Sequence, residues 1–208
     1  MAKEPARLRS DVRLIDAAQS ELIDTGGHLE MLAVAKRAGL SVGVAYHHFG
    51  SKTGLIAAVV DRFYGPLREI TFGNDDSPGI SWQERERDRA RALIDYHYDH
   101  PFAPLVAGRL GREPQVLDVE RAHMEDLLAE GARNLRAGQR SGAVDPNLDP
   151  HIAIASLMGG LRLAIDQAVL SQRRPDRHRL HEQIWRFIEG AIGLRRHPEQ
   201  KQGGSDVV

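Results

Sequence analysis

The sequence contains no cysteine, which excludes disulfides, thiolate metal centres and a cysteine nucleophile together and suits a reducing compartment. Alternation of β-branched and polar residues is almost absent, so no sheet is expected. The opening Met1-Ala2-Lys3-Glu4-Pro5-Ala6-Arg7 lacks the apolar core of a signal peptide. No later run reads as long enough to span a bilayer, and a cytoplasmic location is the expectation. Neither sign of charge dominates: 28 Lys and Arg face 29 Asp and Glu, for a net charge of −1. A nucleic-acid binder of this composition must therefore carry its basic surface locally. Signatures of catalysis are also missing, with no His-Glu-x-x-His, no glycine-rich phosphate loop and no nucleophile elbow.

What is present is helical periodicity from end to end. The 208 residues are 41% hydrophobic, too apolar for a disordered chain and long enough for a small domain joined to a larger one. Leu8, Val12, Ile15, Gln19 and Leu22 mark a first helix that stops at Thr25-Gly26-Gly27, followed by a short one over 31–38 that ends at Gly39. Ser41 caps a third helix over 42–47, and Ser51 caps a long fourth with Leu55, Val59, Phe63 and Leu67 on one stripe. Pro66 should kink that helix or end it early. Phe72 to Gly79 reads as a loop, and Ser81-Trp82-Gln83-Glu84 as a capping box opening a helix to His100. A short helix over 102–110, a long one from Pro114 to about Gly138, an apolar one from His151 to about Leu170 and a last one over 176–194 complete the expected order. The tail after Pro198 reads as disordered.

Two short helices joined by a tight glycine turn make a helix-turn-helix. Gly39 permits the turn, and Val34, Ala38, Leu40 and Ala45 are expected to face inward and lock one helix across the other. The small residues Val42, Gly43 and Val44 allow the third helix to approach base edges in a major groove. Locally, Lys3, Arg7, Arg9, Arg13, Lys36, Arg37 and Lys52 supply cations around this unit.

These residues resemble the TetR/AcrR family of transcriptional regulators. The pattern is Leu14-Ile15-Asp16-Ala17-Ala18, then Val34-Ala35-Lys36-Arg37-Ala38-Gly39-Leu40-Ser41, then Gly43-Val44-Ala45-Tyr46-His47-His48-Phe49 and Ser51-Lys52 with Leu55. The resemblance covers roughly residues 10 to 63. It implies that Tyr46, His48 and Lys52 hold DNA phosphates, with Lys52 at a helix start where backbone N–H groups favour an anion. Lys36, Val42, Gly43, Val44 and His47 complete the expected DNA-binding set. Glu30 departs from the hydroxyl residue common in the family, and Val44 replaces a usual hydroxyl residue, trading a hydrogen bond for a methyl contact.

The fold class expected is all-α, an N-terminal three-helix helix-turn-helix domain (1–63) plus a larger C-terminal helical ligand-binding and dimerisation domain (64–196), with 197–208 as tail. Ile152, Leu157, Gly159, Leu161, Ile165, Ile184, Phe187 and Ile188 are expected to pair two copies through the last two helices, since a helix-turn-helix reads symmetric half-sites about 34–36 Å apart. Trp82, Tyr96, His97, His100, Phe102, His123, Met124 and Leu127 sketch an aromatic pocket with a few polar anchors. The resemblance implies that an effector binds in this region, making the chain a non-enzymatic, ligand-responsive repressor of a palindromic operator, with no cofactor. A rival reading is a helical metalloenzyme built on Asp95, His97, His100 and His123. However, His97 lies off the face shared by Asp95 and Asp99, so no tight ligand set is forced.

Overall fold

The computed structural model describes residues 4–73 and 79–194, with the side chains of 4–9 and 112 outside the description. The expected tail, most of the Phe72 to Gly79 loop, Lys3 and the side chains of Arg7 and Arg9 therefore lie outside the described residues. In order, the helices are α1 (Glu4–Asp24), α2 (Met31–Ala38), α3 (Val42–Phe49), α4 (Lys52–Phe72), α5 (Trp82–Asp99), α6 (Ala103–Ala107), α7 (Pro114–Arg140), α8 (Pro150–Leu170) and α9 (Arg177–Ala191), with a 3₁₀ turn at Leu110–Arg112. No strand occurs among the described residues.

The helix starts follow from their caps. Ser41 accepts the Val44 N–H at 3.3 Å and Ser51 accepts the Gly54 N–H at 3.0 Å. Ser81 and Glu84 form a reciprocal capping box. Asp149 accepts the N–H groups of His151 at 2.8 Å and Ile152 at 3.0 Å, ahead of Pro150 at the first helical position. Gly39 ends α2 in the left-handed conformation, φ 63°, where a side chain would be strained.

Three expectations are revised here. Of the two outcomes expected of Pro66, a kink or an early end, the early end does not occur, since α4 runs past it to Phe72. The lost hydrogen bond is confined to one carbonyl, and the stretch beyond is held by buried Leu67 and by Arg68, whose Nε donates to Glu130 of α7 at 2.7 Å. The second correction concerns length: α8 has 21 residues and a mean hydropathy of 1.4, enough by length and composition to cross a bilayer. Its Ile154, Leu157, Met158, Leu161, Ile165, Ala168 and Val169 are buried within the protein, so core packing accounts for one face of the helix, while Ile152, Leu163 and Leu170 remain exposed. The expected helix over 102–110 is also shorter, because Gly108 leaves helical geometry at φ −104°, ψ −98°.

Three apolar clusters hold the helices together. The first joins Leu14, Leu22, Val34, Ala45, Leu55, Val59 and Phe63 of α1 to α4 with Phe102, Val106, Leu110 and Val116. The helix-turn-helix core therefore continues into α6 and the start of α7, across the expected boundary at 63. The second centres on Trp82, Leu127, Leu135, Ile154 and Met158, and the third on Leu67, Leu93, Ile94, Leu161, Ile165 and Ile184. Helix α4 lies along α7 and belongs to both ends, so it mechanically links α3 to the larger helical lobe.

Candidate DNA-binding face and ligand cavity

Helix α3 is anchored from beneath and open above. Ala45 is fully buried, Val42 and Val44 are half-buried, and Gly43, Tyr46 and His47 are exposed. Gly54 fixes how closely α4 meets the end of α3: a Cβ there would lie 2.2 Å from the Phe49 carbonyl oxygen. His48 points away from the open face. Its side chain is only 8% exposed and its Nδ1 meets Asp11 of α1, so the phosphate contact expected of His48 is corrected to a packing role.

Several cations of this region likewise serve the fold. Arg37 pairs with Glu21 at 3.3 Å and Asp24 at 2.7 Å, Arg62 donates to Gln19 at 2.8 Å and to Asp16, and Arg13 donates to the Ala38 carbonyl at the end of α2. Lys36 is exposed and Lys52 half-buried at the first turn of α4, and neither is ion-paired among the described residues. Glu30 caps α2 without a side-chain hydrogen bond and instead meets His28 at 2.8 Å.

In the larger lobe, α4, α5, α6, α7 and α8 line a partly open, mostly apolar cavity. His97, His123, Met124 and Leu127 of the expected set line it, with Phe63, Tyr64, Leu67, Leu93, Glu120, Met158, Leu161, Arg162, Ile165 and Asp166. His97 donates from Nδ1 to the Leu93 carbonyl at 2.8 Å, and burial holds its pKa below the usual histidine range. Burial pushes the Tyr64 hydroxyl up to about 12 and raises the Asp166 carboxyl despite the nearby Arg162 guanidinium. His123 meets Asp61 of α4 at 2.9 Å, tying α7 to α4 beside the cavity.

The other expected pocket residues are distributed differently. Trp82 lines a second, partly open cavity, and its Nε1 donates to Asn134 at 3.2 Å. Leu93, Met158 and Leu161 line both cavities. Tyr96, His100 and Phe102 gather instead around Phe63, with ring centroids 5.5, 4.9 and 6.0 Å from it. Tyr96 also donates to the Phe63 carbonyl at 2.6 Å. They buttress a cavity wall rather than form it. Sequence reasoning missed Glu120, Arg162 and Asp166. Their signal was a buried-face position in phase with Met124 and Leu127, and a charged pair four residues apart inside an apolar helix.

The metalloenzyme grouping does not assemble. Asp95 lies 3.3 Å from Arg177 and 3.1 Å from His181, His100 packs on Phe63, and His123 is held by Asp61. Among the described residues no group of three or more donors is arranged to hold a metal. On α8 and α9, the expected pairing residues Leu157, Leu161, Ile165 and Ile184 are buried in the chain's own core and are corrected to that role, with Ile188 half-buried. Ile152, Gly159 and Phe187 stay open, joined by Leu163 and Leu170, which sequence reasoning did not single out. Gly160 faces the Phe187 ring of α9 within the chain, and a Cβ there would make ordinary contact with it at 3.5 Å.

Comparison with known proteins bears on the same residues. The sequence profile described as "Bacterial regulatory proteins, tetR family" matches residues 14–59, which run from the middle of α1 into α4. The A-factor receptor protein of Streptomyces griseus is 25% identical over 202 residues, covering 92% of this chain and 67% of the relative. The HTH-type transcriptional regulator BetI of Stenotrophomonas maltophilia is 32% identical over 136 residues, covering 61% of this chain and 65% of the relative. Among solved structures, the transcriptional regulator FadR from Bacillus subtilis in complex with stearoyl-CoA superposes with a TM-score of 0.73 at 18% identity, covering 87% of this chain and 98% of that one. The helix-turn-helix segment thus carries the sequence pattern of the tetR family of bacterial regulatory proteins, and through the helical lobe the chain is similar to transcriptional regulators.

Proposed function

We propose that the chain is a cytoplasmic, ligand-responsive repressor that binds a palindromic operator as a homodimer and leaves it when a small molecule fills the cavity of the larger lobe. The observation that carries this reading is α4 itself. Its first turn holds Lys52 beside the open face of α3, while Phe63, Tyr64 and Leu67, further along the same helix, line the cavity. A ligand pressing on that wall acts on the helix that carries the DNA-binding unit. It shifts the balance between DNA-competent and released forms only by its differential affinity for the two, a coupling of about 1–3 kcal/mol in typical cases.

On the DNA side, Val42, Gly43, Val44, Tyr46 and His47 form the reading face, and Lys36 and Lys52 hold phosphates. Pairing runs through Ile152, Gly159, Leu163, Leu170 and Phe187, an apolar face that a monomer leaves in water. The stearoyl-CoA bound by the Bacillus subtilis neighbour supports a small-molecule site in this fold. The 1–63 and 64–196 division describes these two tasks, although one apolar core spans both. Alanine replacement of Tyr46 or Lys52, measured by fluorescence anisotropy on operator DNA, should weaken binding about tenfold or more while leaving the dimer intact. Unchanged affinity in both variants would remove the assignment of this face.

A further inference from the structure

We propose that the cavity between α4, α5, α7 and α8 takes an effector with a cationic, N–H-donating head, an amine or amidine, on a compact apolar body. The proposal rests on reading that cavity as the effector site. Glu120 is the only buried charged residue among those described, 6% exposed, and it lines the cavity. One carboxylate oxygen, Oε1, meets Nη1 of Arg162, while Oε2 is buried with no hydrogen-bond partner. Arg162 is shared, because its Nε also faces Asp166 at 3.5 Å. One guanidinium between two carboxylates leaves the group one negative charge in excess in an apolar surround.

No other group facing this pair supplies the missing charge. His97 is kept neutral by burial and spends its Nδ1–H on the Leu93 carbonyl. The Tyr64 hydroxyl is neutral across the ordinary pH range. His123 is engaged by Asp61 on the α4 side. A ligand carboxylate would meet Glu120 and Asp166 with like charge, and an alcohol brings a hydrogen bond without charge. An ammonium or amidinium group satisfies Glu120 Oε2 and balances the excess at once, forming charge-assisted hydrogen bonds in a surround where they are strong. Leu93, Met158, Leu161 and Ile165 supply walls for the apolar body.

The test uses the full-length protein and hexyl, cyclohexylmethyl and benzyl bodies, each carrying an amine, a hydroxyl or a carboxylate, with binding measured by calorimetry near neutral pH. For at least one body the amine should bind tenfold or more tighter than its alcohol, with the carboxylate weakest. Glu120→Gln, checked for an unchanged circular dichroism spectrum, should bring the amine down to the affinity of the alcohol. Should that variant fail to fold, Asp166→Asn is expected to reduce the amine preference in the same direction. Alcohols or carboxylates that equal the amines, or a preference that survives in the folded variants, would overturn the head-group assignment while leaving the cavity as an effector site. Absence of binding by every compound would count against both.

Discussion

Replacing Phe187 with alanine should break the proposed dimer without unfolding the chain. The side chain lies on α9 over Gly160 of α8, with 55% of its surface in water. A free phenylalanine exposes roughly 200 Å², so about 110 Å² per copy remains to be buried, worth about 2.7 kcal/mol at roughly 25 cal/mol per Å². Two-fold symmetry doubles the effect, and alanine retains part of the contact, so the dimer should weaken by about 2–4 kcal/mol, roughly 30- to 700-fold in dissociation constant. Sedimentation equilibrium measures this directly, and thermal unfolding of the variant at high concentration checks that the fold persists. A folded variant that dissociates no more readily than the parent would show that the chain does not pair through this face.

The close approach of α4 to α3 makes Gly54→Ala informative. The added Cβ meets a backbone oxygen rather than a movable side chain, so the variant should lose about 1–3 kcal/mol of stability and disproportionately more DNA affinity. Unaltered operator binding would contradict the anchoring role. The histidines predict a pH response. Burial lowers the pKa of His97, His100 and His181 below 6.5 in the folded state. Below pH 6.5 the unfolded chain then binds more protons than the folded one, and stability should fall with pH until the folded pKa values are passed. Asp166 and Glu86, raised by burial, act in the opposite direction above their ordinary carboxyl range. The contribution of His97 is therefore best isolated as the difference between the parent and His97→Gln in chemical denaturation. An identical pH slope in the two proteins would refute it.

The DNA-binding unit was legible because its constraints are local. Gly39 for the turn, Ser41 and Ser51 as caps, and the small inward set Val34, Ala38 and Ala45 each state their role within a few residues. His48 was not legible, since its partner Asp11 lies on another helix and only tertiary packing turns the ring toward it. Helix α8 was ambiguous for a different reason. It is apolar nearly all round, so periodicity alone cannot tell Leu157, Leu161 and Ile165, which enter the core, from Ile152 and Leu163, which remain outside. The cavity was half legible: His97, His123, Met124 and Leu127 follow from the inward faces of α5 and α7. Glu120, Arg162 and Asp166 gain meaning only when α7 and α8 bring them together. Pro66 shows that a breaker near a helix end can be overruled by burial of Leu67 and the Arg68 and Glu130 pair.

The central claim, that the open face of α3 and the first turn of α4 recognise a DNA operator, is tested most directly by a salt series of binding to the intergenic DNA beside the protein's own gene, followed by selection from genomic fragments. Tight, sequence-selective binding that weakens steeply with salt, and more gently in Lys52→Ala, is the predicted result. Binding no better than to random DNA in both the intergenic fragment and the genomic selection would contradict it.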